Sequence, residues 1–326
     1  MKKNIAVIMG GYSSEAEISL KSGKVVQAYL DSDRYHSYGI QILPDKWVYV
    51  DAEGAEHAVD KNRFSISPKG ETIVFDCVFN AIHGSPGEDG LMQSYFELLN
   101  IPQTSCSAYQ SALTFNKRDL LSVLKAYGIK SAASYYLNLG DPIDTGAIVE
   151  KVGLPCFVKA NKAGSSFGIS KVYEKDQLKA AIANAYKEDD EIIIEAFLDG
   201  IEVSVGVIRY QGKTKVLPIT EIVTENDFFD YEAKYEGKSQ EITPARITPL
   251  QAERVREVAK NAYELLKMKG YSRSEFIFID DEPYMLEMNT TPGLTTESIL
   301  PQQAKIAGIG LTELFGSAIE EALSQK

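Results

Sequence analysis

Glu287 and Asn289 stand two residues apart in the run YMLEMN, so on a strand both side chains leave the same face. Glu275, in SRSEFIFI, lies on the preceding run, and the two runs read as a β-hairpin over about Ser274–Asn289. Two carboxylates and an amide oxygen are hard donors of the kind Mg²⁺ takes, with phosphate and water completing the octahedron. Their alignment depends on the turn: a three-residue loop at Asp280–Glu282 faces Glu275 with Glu287, a two-residue loop offsets them, and the sequence admits both. An isolated pair of this kind also reads as a solvated strand face. The NTTPG turn that follows adds backbone N–H groups able to meet an oxyanion. Upstream, Lys159 closes an apolar strand ahead of AGSSFG, whose small residues let amides approach phosphate oxygens beside a lysine charge. The spacing is not that of a Walker A loop, and taken alone it also reads as a plain turn. Glu195 at a strand end and Glu202 beyond it are acceptors suited to a purine exocyclic amine or ribose hydroxyls; both also read as surface charges beside a turn.

Strands and turns must position these groups, and the pattern is α/β. Asn4–Met9 reads as a buried parallel strand stopped by Gly10 and Gly11. A helix follows to about Leu30, with Ser13 or Ser14 as N-cap and Glu17 at capping-box spacing from Ser14. Thr72–Phe79 is strand-like, HGSPGEDG at 83–90 is a turn, and Leu91–Leu99 is helical. Ser107–Gly128 is helical with Asn116 as an internal cap. Strands are expected at Ser134–Asn138, Pro155–Lys159 and Glu191–Phe197, with helices at Thr145–Val152 and Lys175–Lys187, and the glycine-rich loop at 161–168 leads into ISKVY at 169–173. Glu202–Tyr210 and Thr214–Thr224 read as a β-meander, and Pro249–Lys269 and Leu311–Ser324 as helices. Glu225–Thr248, rich in charge and aromatics, shows no period and is a candidate lid.

The 326 residues suggest more than one domain, and 44% hydrophobic content excludes a wholly disordered chain. Against 46 acidic residues stand 34 Lys plus Arg, a net charge of −12 that argues against a general nucleic-acid binder. No apolar stretch approaches the ~20 residues of a membrane span. Lys2 and Lys3 precede an apolar run too short for a signal peptide. Cys77, Cys106 and Cys156 form no CxxC pair and read as reduced core thiols, and three scattered histidines make no zinc site. A cytoplasmic location is expected.

Lys159, AGSSFG, Glu195, Glu202 and the Arg273/Glu275/Glu287/Asn289 hairpin occur in the order of the ATP-grasp ligases. Within them the chain resembles the D-alanine–D-alanine ligases, from GGYSSEAEISL to NTTPGLTTESILP, with HGSPGEDGLMQ at 83–93 the most specific motif. The resemblance implies a three-lobed ATP-grasp fold with an N-terminal doubly wound parallel sheet. The lobes would be 1–104 for substrate, 105–196 as the central lobe and 197–326 as the C-terminal lobe. It implies that Lys117 and Lys159 hold the α- and β-phosphates of ATP. Glu195 and the Leu198 backbone would contact adenine, Glu202 the ribose, and Lys234 the region of the γ-phosphate. Glu275, Glu287 and Asn289 would hold two Mg²⁺, with Mn²⁺ as a substitute. Arg273 and the Gly293 amide would stabilise an oxyanion, and Glu15, Ser165 and Tyr235 would form a hydrogen-bonded trio closing the site. His83 and Glu88 would line the first D-alanine site, and Ser298 would grip the second D-alanine carboxylate.

The implied reaction phosphorylates one D-alanine carboxylate and lets the amine of a second attack the acylphosphate. A tyrosine at 235 goes, in the family, with dipeptide rather than D-alanine–D-lactate. Members of the family are often homodimers. Glu275 departs from the usual aspartate, Ala160 from proline, Ala196 from a frequent lysine and Glu297 from a histidine. The alternatives are another ATP-grasp carboxylate–amine ligase, which should lack HGSPGEDG, and a nucleotide-binding relative without turnover, whose support is the change at 275.

Overall fold

The computed structural model describes residues 1–164, 167–224 and 239–324. The chain opens with β1 (Lys3–Gly10), α1 (Ala16–Tyr29), β2 (Tyr35–Ile42), β3 (Trp47–Val50), β4 (Glu56–Ala58), β5 (Ser65–Ile66), β6 (Ile73–Val74) and β7 (Cys77–Asn80). The IAVIM run of β1 is buried on both faces, so the strand sits centrally, in the order β4-β3-β2-β1-β7. The expected parallel sheet is parallel over β2, β1 and β7, while β3 and β4 extend it antiparallel. The strand expected over Thr72–Phe79 is two pieces. It breaks at Asp76, whose carboxylate takes the Asn4 N–H at 2.9 Å and the Lys3 ammonium at 2.9 Å. The expected serine cap of α1 is absent: Glu15 holds the N-cap position without a side-chain capping bond. Ser13 lies two residues earlier, where its hydroxyl accepts the Glu15 N–H at 3.3 Å and donates to the His83 carbonyl at 3.2 Å.

α2 (Leu91–Leu98) packs on one face of this sheet through Met92 and Phe96. α3 (Ala108–Phe115) and α4 (Lys117–Ala126) divide at Asn116, whose side chain accepts the Asp119 N–H, the internal cap the sequence predicts. β8 (Ser134–Asn138), α5 (Thr145–Val152), β9 (Cys156–Ala160), β10 (Ser170–Val172), α6 (Leu178–Ala185) and β11 (Glu191–Ala196) follow. They form an antiparallel sheet in the order β10-β9-β11-β8. α5 and α6 bury one face of it against Cys156, Val158, Ile192 and Ile194. By alternation the other face carries Phe157, Lys159 and Glu195.

β12 (Ile201–Tyr210), β13 (Lys213–Val216), β14 (Thr220–Thr224), β15 (Ser239–Ile242), α7 (Pro249–Leu265), β16 (Tyr271–Ile279), β17 (Glu282–Asn289), α8 (Ile299–Ile306) and α9 (Leu311–Ser324) complete the chain. The third large sheet runs β15-β14-β12-β16-β17, with β13 also on β12. The strand expected over Thr214–Thr224 is interrupted near Pro218, where Leu217 N–H still reaches the Gly206 carbonyl at 2.8 Å. β15 lies inside the stretch expected to be irregular. α7 ends at Leu265, short of Lys269, with Lys267 at φ 53° just beyond. α9 docks on the first sheet, where Phe315 meets Phe79 edge-on at 5.4 Å. The 83–90 turn meets Thr291 through His83 and Glu88. Among the described residues no helix is long and apolar enough to cross a membrane. The three cysteines are free and buried, as expected.

Candidate active site

The loop joining β16 to β17 has two residues, Asp280 and Asp281, since Ile279 pairs with Glu282. Continued evenly, that register would put Leu286 opposite Glu275. A β-bulge between Glu275 and Phe276 takes up Leu286 as an extra residue, and Glu287 falls opposite Glu275 instead. Both sequence alternatives were half right: the loop is short, yet the carboxylates face each other. Leu286 and Glu287 open to one face, while Met285 and Met288 are buried in the core. Each carboxylate meets a cation. Arg273 donates to Glu275 at 2.7 Å, and the Lys117 ammonium lies 3.2 Å from Glu287. The Asn289 amide nitrogen is 3.4 Å from Glu287. Among the described residues no cluster of three His, Cys, Asp or Glu could hold a metal by itself. Two facing carboxylates with an amide oxygen nonetheless fit a divalent cation that keeps water and phosphate ligands.

One face of the hairpin closes a cavity of about 850 Å³, bounded opposite by the central sheet. Phe157, Phe167, Ile169, Ala196, Leu198, Ile277 and Leu286 make it apolar; Lys117, Lys159, Glu195, Glu202, Glu275 and Glu287 place charge in it. Lys159 and Glu195 bond at 2.9 Å. Burial pulls the Lys159 ammonium down, but Glu195, Glu287 and Glu202 outweigh it and hold it above its ordinary range. Glu195 Oε1 is buried with no hydrogen-bond partner among the described residues. An orphaned acceptor in an apolar slot suits an amine donor such as adenine's.

A second cavity of about 1460 Å³ adjoins the first, sharing Lys117, Ala163, Gly164 and Glu287 as walls. Glu15, His83, Glu88, Arg273, Asn289, Gly293 and Ser298 line it. Glu15 is buried against the glycine-rich loop: a Cβ on Gly164 would fall 2.6 Å from Glu15 Oε2. Gly293 allows an equally close approach, since a Cβ there would fall 2.6 Å from the Ser298 hydroxyl. His83 Nδ1 lies 2.7 Å from the Thr291 carbonyl, which can only accept, so Nδ1 carries the proton. Its Nε2 accepts from the Ser22 hydroxyl at 2.8 Å, and burial depresses its basicity, so the ring stays neutral.

Glu88 accepts from the Gly84 N–H at 2.7 Å and from the Thr291 N–H at 3.0 Å, so it ties the two turns together besides lining the cavity. Burial and the nearby Glu15 push its carboxyl up to about 8. Between its ordinary value of 4.5 and about 8 the folded protein keeps a proton the unfolded chain gives up. The stability this contributes is full below the lower value and lost as pH rises through the upper one. Melting of the ligand-free protein from about pH 5 to about pH 9 should therefore fall less steeply for Glu88→Gln than for the parent. Identical slopes would show that Glu88 does not titrate there.

Ser165, Lys234 and Tyr235 lie outside the described residues. Every other residue the resemblance assigns to the site lines one of the two cavities. Unanticipated are the aromatic walls Phe157 and Phe167, the Thr291 backbone and Ser22. Their roles come from tertiary neighbours; only the closeness of Thr291 to NTTPG gave a hint.

Two family models match this chain: the N-terminus of D-ala D-ala ligase over residues 4–106 and its C-terminus over residues 124–320. A D-alanine–D-alanine ligase of Flavobacterium johnsoniae is 71% identical over 322 residues, spanning 99% of this chain and 100% of the relative. The structure of the VanG D-Ala:D-Ser ligase of Enterococcus faecalis is 30% identical, with a TM-score of 0.85 over 99% of this chain and 100% of that one. A D-alanine–D-alanine ligase of Bacillus anthracis complexed with ATP is 27% identical, with a TM-score of 0.79 over 99% of this chain and 98% of that one.

Proposed function

The chain belongs to the D-alanine–D-alanine ligase family, and from that premise we propose how its residues divide the ATP-dependent joining of two D-alanines. It is an ATP-dependent ligase of peptidoglycan precursor synthesis. The observation that supports the residue assignment is the bulged hairpin, which sets Glu287, a wall of both cavities, opposite Glu275, a wall of the first. The first cavity takes ATP. Glu195 and the Leu198 backbone meet adenine, Glu202 the ribose, and Lys117 and Lys159 the α- and β-phosphates, with Lys234 near the γ-phosphate. Glu275, Glu287 and Asn289 would hold two Mg²⁺, which would screen the charge of the triphosphate and of the attacking carboxylate.

The second cavity takes both D-alanines. His83 and Glu88 border the first and Ser298 the carboxylate of the second. The carboxylate of the first D-alanine attacks the γ-phosphorus and ADP leaves, giving an acylphosphate. The amine of the second attacks its carbonyl carbon, phosphate leaves, and the amine sheds its proton. Arg273 and the Gly293 N–H stabilise the tetrahedral oxyanion. Because an acylphosphate hydrolyses readily, water must be excluded. Glu15 against the glycine-rich loop, with Ser165, Tyr235 and residues 225–248, closes the site. We assign the three lobes as 1–104, 105–196 and 197–326, the location as cytoplasmic and the assembly as a homodimer.

With ATP, Mg²⁺ and D-alanine, phosphate and D-alanyl-D-alanine should appear in equal amounts. ATP binding without D-alanine-dependent phosphate would overturn the reading. Offered D-lactate as well, the enzyme should still make dipeptide at neutral pH; preference for the ester would remove the role given to Tyr235.

A further inference from the structure

A helix start leaves its first N–H groups without intrahelical partners. At α4 the first three are met from outside the helix. The Lys117 N–H reaches the Asn161 carbonyl at 3.4 Å, and the Arg118 N–H reaches Asn161 Oδ1 at 3.0 Å. The Asp119 N–H goes to Asn116 Oδ1 at 3.1 Å. Asn161 also gives both amide protons away, to Asn116 Oδ1 at 2.8 Å and to Glu191 Oε2 at 2.7 Å. Its own N–H reaches the Glu191 carbonyl at 2.9 Å. The residue is fully buried and every polar group on it is used. A side chain with both an acceptor and two donors is needed here. Aspartate would turn an oxygen toward Asn116 Oδ1 and the Glu191 carboxylate.

Asn161 follows Lys159 by two residues, and it holds the N-terminus of the helix that Lys117 begins. The Lys117 ammonium then donates to the Ala163 carbonyl of the same loop at 2.8 Å. On the far side, Arg118 pins the helix to the central sheet. Its Nε reaches the Ile192 carbonyl at 3.1 Å and its Nη1 reaches Asn138 Oδ1 at 2.9 Å. Asn161 itself lines neither cavity.

We propose that Asn161 is a positioning residue of the nucleotide site: by capping α4 from the loop after β9 it fixes the separation of Lys117 and Lys159. The proposal rests on assigning those two lysines to the ATP phosphates. A misplacement of ~1 Å can cost ~10²-fold, so Asn161→Ala should lose about that much kcat/KM for ATP while the KM for D-alanine stays within about twofold. Asn161→Asp should lose as much despite equal size. Asn116→Ala, which breaks a single link, should shift ATP kinetics in the same direction by less, and serves if the Asn161 variants do not fold. Lys117→Ala and Lys159→Ala are measured alongside. Lysine variants with an unchanged KM for ATP would sink the phosphate assignment. Lysine variants that lose ATP while the asparagine variants lower only the melting temperature would sink the positioning role alone.

Discussion

Glutamine in place of Glu287 should abolish D-alanine-dependent phosphate release and leave the fold intact. Among the described residues Glu287 is the acidic one common to both cavities, brought opposite Glu275 by the bulge. The substitution preserves shape and one oxygen but removes the charge that would help hold the cations, and takes from Lys117 its ion-pair partner 3.2 Å away. Metal stabilisation of a transferring phosphoryl group is worth several kcal/mol. At 1.36 kcal/mol per tenfold, that is ~10³-fold or more in rate. Product formation under single-turnover conditions reads the loss, with circular dichroism and melting as controls for the fold. Turnover near the parent level would reject Glu287 as a metal ligand. Asn289→Ala should be milder, since an amide oxygen brings no charge.

The chemistry was legible because few residue types can perform it. Glu287 and Asn289 share a face through strand alternation alone, and Lys159 was placed at a strand end by the apolar run before it. Their alignment was not legible. Whether Glu287 or Leu286 faces Glu275 is decided by a bulge set by how Met285 and Met288 bury into the core, a tertiary matter. The start of α1 is tertiary in the same way: the Ser13 hydroxyl is tied to the His83 carbonyl and meets the Glu15 N–H, so the helix begins beyond it, with Glu15 at the N-cap. Residues 31–71 show no period because YHSYGIQI, WVYV and EHA mix polar and apolar residues on partly exposed strands that are placed by pairing outward from β1. Nor could the sequence show that Glu275 pairs with Arg273 and Glu287 with Lys117. The net charge of −12 concealed that pairing, since it describes the whole surface and not the cavity.

Alanine at position 273 should slow dipeptide formation by ~10²–10³-fold, the usual loss for one oxyanion donor. It should also cost stability. Glu275 is 5% exposed and its partner is the Arg273 guanidinium at 2.7 Å. Removing one member of a buried pair strands the other charge, at about 3–5 kcal/mol. Melting alone therefore cannot distinguish a catalytic Arg273 from a mere counterion of Glu275; the coupling of the two half-reactions can. If Arg273 stabilises the tetrahedral intermediate, Arg273→Ala still makes acylphosphate, and slowed attack by the second amine leaves time for water. Phosphate release should then outrun dipeptide, where the parent enzyme yields them equally. Arg273→Lys, which keeps the charge but not the planar fork, should recover stability more than coupling. A variant that melts early yet keeps phosphate and dipeptide in step would confine Arg273 to holding Glu275 and leave the oxyanion to the Gly293 N–H.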